Sequence, residues 1–292
     1  MVYEPGSWPS WAGGRLLEPG TIHPLEVIGM RRRLRDYVLW TYGIFFLFIL
    51  LIGLIMLVLE APALAEALKI VSAWTATLVF VAMFRRIYPG DHLIRYVKRQ
   101  FSAKIKISTV AWVLLLQSSM FIGVLLVSSA MRGLPVRALV TTSWATLLLL
   151  FGSNLIRGPL GEQIGWRAFV LIELQKIHSP IKAAVIVGVL WGFWHAPLWF
   201  LSGYSGMQLV QYIGVFLVYI ISTSIIMTAF YNLNTNLLIP IIIHQLANYL
   251  VAIQIGDVLG IITITSVVYF AAAWVLVLVN HRNCLYGKVP ER

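Results

Sequence analysis

Residues Ala183–Gly256, AAVIVGVLWGFWHAPLWFLSGYSGMQLVQYIGVFLVYIISTSIIMTAFYNLNTNLLIPIIIHQLANYLVAIQIG, run for 74 residues without an aspartate, glutamate, lysine or arginine. A helix needs about 20 apolar residues to cross the hydrocarbon core of a bilayer, so this stretch has room for three spans. Further charge-free runs flank it at Tyr37–Leu59, Ile107–Met131, Ala138–Ile156 and Val258–His281. Of the 292 residues, 60% are hydrophobic and 11% charged, and the mean hydropathy is +0.86. A soluble domain carries roughly 25% charged residues. The chain is therefore expected to be an all-α integral membrane protein, with lipid as its solvent. The single Cys284 excludes an internal disulfide framework.

Twenty-two basic residues against 11 acidic ones would suit a nucleic-acid binder, but their placement argues for a membrane protein and for no nucleic-acid partner. Arg31, Arg32, Arg33 and Arg35 precede the first apolar run, and Arg85 to Lys106 follow the second. That is the bias of cytoplasmic loops, reinforced by anionic lipid headgroups. Residues 1–36 read as a cytoplasmic tail, with turn-prone Pro5, Pro9, Pro19, Gly20 and Pro24. The first span is expected to serve as its own insertion signal. A single polytopic domain over 37–281 is expected to follow, then a cytoplasmic tail at 282–292.

Spans are expected near 37–59, 62–84, 109–130, 138–156, 182–201, 210–231, 237–255 and 258–280, with an interfacial helix within 85–108. Between the fourth and fifth lies Arg157-Gly158-Pro159-Leu160-Gly161, where two glycines and a proline break the apolar pattern. A kinked or re-entrant helix over 161–176 is expected to follow. Eight spans leave both termini on the basic, cytoplasmic side; a ninth would put the C-terminus outside. The expected location is the plasma membrane of a prokaryote.

Glu162 and Glu173 are the only acidic residues between Asp91 and Asp257. Ionisable side chains within spans are costly, about 2.5–3.5 kcal/mol on insertion scales, and so mark function by default. Glu162 opens a polar cluster with Gln163 and Arg167, and α-helical spacing would set Arg167 over Gln163. Glu173 lies about 16 Å further along the same face, too far to act on one substrate atom with Glu162. His195, in Trp191-Gly-Phe-Trp-His195-Ala-Pro197, and the pair His244 and Asn248, one turn apart, supply the other polar groups. Each has a plain structural alternative: an ion pair of Glu162 with Arg167 closing the break, a satisfied core histidine, an interfacial belt of Trp191, Trp194 and Trp199, and an interhelical clamp. Together they supply the parts for adding water to an amide. A carboxylate with a histidine deprotonates water, a histidine and an asparagine donate to an oxyanion, and an arginine holds a carboxylate.

At Glu162-Gln163-x-x-x-Arg167, Trp191-x-x-x-His195 and His244-x-x-x-Asn248, the sequence resembles the CAAX protease and bacteriocin-processing family of intramembrane proteases, which includes the type II CAAX prenyl endopeptidases. The resemblance covers about residues 109–256. It implies an endopeptidase acting on a membrane-anchored protein or peptide. Glu162 and His195 would activate water, His244 and Asn248 would stabilise the oxyanion, and Gln163 and Arg167 would orient the substrate or the site. Gln163 stands where the family has a second glutamate, which removes a charge. No cofactor is expected. The rival is a zinc peptidase with Glu162, His195 and His244 as ligands. A non-catalytic relative acting in bacteriocin immunity or membrane signalling is the alternative from a different class.

Overall fold

The computed structural model describes residues 24–280 and Leu285. The tail expectations for residues 1–23, 281–284 and 286–292 fall outside the described residues.

Helix α1, Pro24–Leu54, starts well before the first apolar run and ends in a π turn, Ile55–Leu59. Its early start has a plain cause. Pro24 sits at the first helical position, and Met30, Leu34, Tyr37, Thr41 and Phe45 bury one stripe at helical spacing. Glu60, in the left-handed region (φ 46°), closes the turn. Helices α2, Pro62–Ala73, and α3, Thr75–Ile87, then form a pair bent by 53° at Trp74. The short α4, Leu93–Gln100, leads to α5, Ile107–Arg132.

The fourth apolar run is helical only from α6, Trp144–Arg157, because Ser143 caps it: its hydroxyl accepts from Thr146 N at 3.4 Å. After the break come α7, Pro159–Gln163, a π segment, Ile164–Leu171, and α8, Ile172–Gln175. The remaining helices are α9, Pro180–Trp194; α10, Ala196–Phe200; α11, Gly206–Leu233; α12, Leu238–Ala252; and α13, Val258–Val279.

This is an all-α integral membrane protein. Among the described residues, four helices are long and apolar enough to cross a membrane, α1 with its π turn, α5, α11 and α13, and the bent pair α2–α3 makes a fifth if it is counted as one span. The other segments that an eight-span reading counts are shorter or broken: α6 to α8, α9 with α10, and α12. Large apolar side chains cover the outside, with Leu50 at 72%, Leu57 at 81% and Leu148 at 72% exposure. Such a surface is at home only in lipid. With lipid outside, helices associate through close packing rather than the hydrophobic effect. α11 sits at the centre against α9 and α13, while α12 packs on α5, α6 and α7.

The connectors gather at two ends of the bundle. At one, Arg86 at the foot of α3 pairs with Asp36 of α1 at 2.8 Å. There Asn234 accepts from Lys106 N at 2.8 Å, and Asn236 donates to Ala103 O at 2.7 Å, stapling the segment before α5 to the α11–α12 turn. At the other, Arg132 donates to Ile255 O at 2.9 Å, and Thr141 N donates to Ile253 O at 2.9 Å. The first end carries most of the lysines and arginines; we call it the basic end.

Candidate active site

The site is built where α6 breaks. Lipid does not tolerate unsatisfied backbone, so the exposed carbonyls of a broken helix must find donors. Trp74 Nε1 donates to Ile156 O, in the last turn of α6, at 2.9 Å, while Gln245 Nε2 ties α12 to Phe151 O further back in that helix at 2.9 Å. Pro159 then starts α7, where a proline loses no helix hydrogen bond. Two small residues let the new helix press against the α2–α3 bend. A Cβ on Gly161 would lie 2.8 Å from Trp74 Cγ, and one on Gly165 would collide with the Tyr37 hydroxyl and the Ala76 carbonyl.

Glu162 is buried, and its Oε2 accepts from Trp191 Nε1 at 2.5 Å. The Trp191 carbonyl, an acceptor only, lies 2.8 Å from His195 Nδ1, so that nitrogen carries the proton. In neutral His195 the other nitrogen, Nε2, therefore holds a free lone pair. One tryptophan thus ties the carboxylate by its indole N–H and orients the histidine by its backbone. No hydrogen bond joins Glu162 directly to His195 among the described residues.

On α12, His244 Nδ1 lies 2.7 Å from Gln163 Nε2, and His244 Nε2 lies 3.1 Å from Asn248 Nδ2. A Gln163 amide that donates to Nδ1 leaves the His244 proton on Nε2; Nε2–H and the Asn248 amide N–H are then both donors, which do not bond each other but can converge on a third, accepting atom. Gly158 abuts all of this. Its Cβ position would be 3.3 Å from Glu162 Oε1, 3.4 Å from Asn248 Nδ2 and 3.4 Å from His244 Cε1.

Arg167 departs from the sequence expectation. The turn that carries it is π-helical, with i→i+5 bonds, which swings it off the i, i+4 line from Gln163. Its guanidinium stacks on the Trp191 ring at 4.1 Å, fully buried, with none of its three nitrogens hydrogen-bonded. No ion pair joins it to Glu162 among the described residues, so the break is not closed by the salt bridge considered above. Cation–π attraction to tryptophan, about 2 kcal/mol when desolvated, takes its place.

Glu173 belongs elsewhere. Its Oε1 accepts from Tyr88 OH at 2.7 Å and from Lys176 Nζ at 2.6 Å, toward the basic end.

The zinc ligands named from sequence have hydrogen-bond partners within the protein. Both ring nitrogens of His244 face amide groups, and Oε2 of Glu162 is held by Trp191. Among the described residues, no three of histidine, cysteine, aspartate and glutamate gather as a group that could hold a metal ion. Sequence reasoning missed the working role of Trp191, taken as belt or motif aromatic. The i, i+4 spacing that sets its carbonyl beneath His195 was legible; its reach to Glu162 was not. Gly158, Trp74 and Gln245 carried no signal of their contacts.

Fold and site together define an all-α membrane protein with a polar cluster buried at a helix break. Comparison with known proteins shows what this region is similar to. Residues 142–250, which contain every residue of the cluster, match the family model described as type II CAAX prenyl endopeptidase Rce1-like. A segment of 41 residues is 39% identical to CAAX prenyl protease 2 of Methanococcus maripaludis, covering 14% of this chain and 15% of that protein. Over residues 142–250, then, the chain is similar to the Rce1-like family.

Proposed function

We propose that the chain is a glutamate-dependent intramembrane endopeptidase that hydrolyses a peptide bond of a membrane-anchored protein or peptide. The reading rests on one convergence: Glu162 Oε1, Asn248 Nδ2 and the His244 ring all face the same flank of Gly158, within 3.4 Å of its Cβ position. A base and oxyanion donors are needed on one reacting carbonyl, and here they share one small face. The family match supports the same reaction class.

In the step proposed, Glu162 takes a proton from water as the water oxygen bonds to the scissile carbonyl carbon. His195 Nε2 accepts the second water hydrogen bond, its ring held by the Trp191 carbonyl. The carbonyl oxygen, becoming an oxyanion, accepts N–H bonds from His244 Nε2 and Asn248 Nδ2. Collapse breaks the C–N bond, and the proton on Glu162 passes to the leaving amine. Gln163 positions His244 through Nδ1, and Arg167 positions Trp191 by stacking. The step uses no metal. The basic end is taken as cytoplasmic on the positive-inside bias, with both termini there, in a plasma membrane.

The test is comparative membrane proteomics of cells carrying the wild type, Glu162→Gln or His195→Ala. A cleavage product should disappear in both variants. An unchanged product pattern overturns the reading and favours the non-catalytic regulator.

A further inference from the structure

Remote from the polar cluster, α3 returns alongside α1 and leaves a groove between them. It has a volume of about 350 Å³ and is lined by Trp40, Ile44, Leu78, Val79, Ala82 and Met83. Val79, 3% exposed, is its floor, while Trp40 and Leu78, 59% and 45% exposed, stand at its edges. The groove therefore faces the hydrocarbon that surrounds the bundle.

Helical register carries both walls into charge. Ile44, Trp40 and Asp36 follow one another at four-residue spacing on α1, as do Leu78, Ala82 and Arg86 on α3. The two ridges end in one ion pair, Arg86 Nη2 on Asp36 Oδ2 at 2.8 Å. Arg35 takes the other oxygen, Oδ1, with Nη2 at 2.9 Å and Nε at 3.2 Å. One carboxylate is thus set against two guanidiniums, whose side chains are 58% and 65% exposed. A guanidinium has five N–H donors, and these bonds engage one of Arg86 and two of Arg35. Positive charge and donors are left over, and a phosphate satisfies both. Trp40, one turn from Asp36, suits the same level, because tryptophan favours the boundary between headgroups and hydrocarbon.

The walls also choose between a hydrocarbon chain and a protein helix. Helices pair in lipid through small residues that let their backbones close in. Ala82 is the one small residue of this lining, and the rest are bulky side chains around a slot. A slender, flexible acyl chain can fill such a slot; a helix cannot enter it.

We infer that the groove binds one anionic phospholipid, its acyl chain between Trp40 and Ile44 of α1 and Leu78 and Ala82 of α3, its phosphate on Arg35 and Arg86. The site is separate from the polar cluster and holds whether or not the chain is a peptidase.

The test uses the full-length protein in mixed micelles of equal phosphatidylglycerol and phosphatidylcholine with identical acyl chains. Native mass spectrometry counts the lipid that stays bound. The wild type should retain one phosphatidylglycerol, preferred over phosphatidylcholine by about tenfold or more, the scale of two basic groups at a headgroup. Ala82→Phe fills the slot from a lipid-exposed position and should retain neither lipid. Arg35→Gln leaves the Asp36–Arg86 pair in place and should lower the preference about fivefold. Leu148→Phe, at a 72% exposed position on α6, should match the wild type. No bound lipid in the wild type, equal retention of the two lipids, or a protein dimer in place of a bound lipid overturns the inference. Retention that survives Ala82→Phe, or a preference unmoved by Arg35→Gln, does the same. Arg35→Gln, on the exposed surface, keeps the test decisive if Ala82→Phe is poorly folded.

Discussion

Two buried carboxylates share one broken helix and are treated in opposite ways. Glu173, 2% exposed, has a lysine and a tyrosine hydroxyl on the same oxygen. Glu162, 3% exposed, has one indole N–H, while Arg167, five residues on, stacks on that indole without bonding to it. A paired carboxylate is a structural element, because its charge is already spent on a partner. A carboxylate held by one neutral donor keeps its second oxygen free for a proton. The π turn makes the difference, since it turns Arg167 toward Trp191 instead of back along its own helix.

Substitution of the two acids breaks that comparison most sharply. Glu162→Gln keeps the volume and removes the base, so product formation should fall by about 10²–10⁴-fold, as for a lost general base. The thermal midpoint should hardly move. Next in size is Gly158→Ala. Its methyl would touch Glu162, His244 and Asn248 together, and a displacement of about 1 Å at a reacting centre costs about 10²-fold. Retained activity in purified Gly158→Ala would show that the chemistry is not on that face.

Trp191→Phe sharpens the comparison. It keeps a ring for Arg167 but deletes the donor to Glu162, and an orienting partner of this kind is worth about 10–100-fold in activity. An effect on stability alone would make the tryptophan a packing residue. The smallest catalytic effect is expected at the control acid. Glu173→Gln should leave turnover within about threefold and lower unfolding stability by about 1.5–3 kcal/mol, the range for a hydrogen bond to a charged group. Thermal denaturation in detergent, run beside the activity assay, reads both.

Much of this was legible in the order of residues. The long charge-free runs required lipid, and the helices found at Ile107–Arg132, Gly206–Leu233 and Val258–Val279 lie close to the spans read from them. The break at Gly158-Pro159 was visible as well, because glycine and proline speak through the backbone alone. The start of α1 at Pro24 was not, since its buried stripe runs among arginines that masked it.

Sequence by itself determined that this is a helical membrane protein and which polar residues stand out in it. Composition sets the solvent, and isolated polar residues in apolar runs are conspicuous without any geometry. Only the tertiary structure decided how those residues are joined. It put the Trp191 indole on Glu162, stacked Arg167 on that ring, and set Gly158 against three polar groups. Each of these is a contact across helices far apart in the chain, fixed by packing at a break and by a π turn that no periodicity announces.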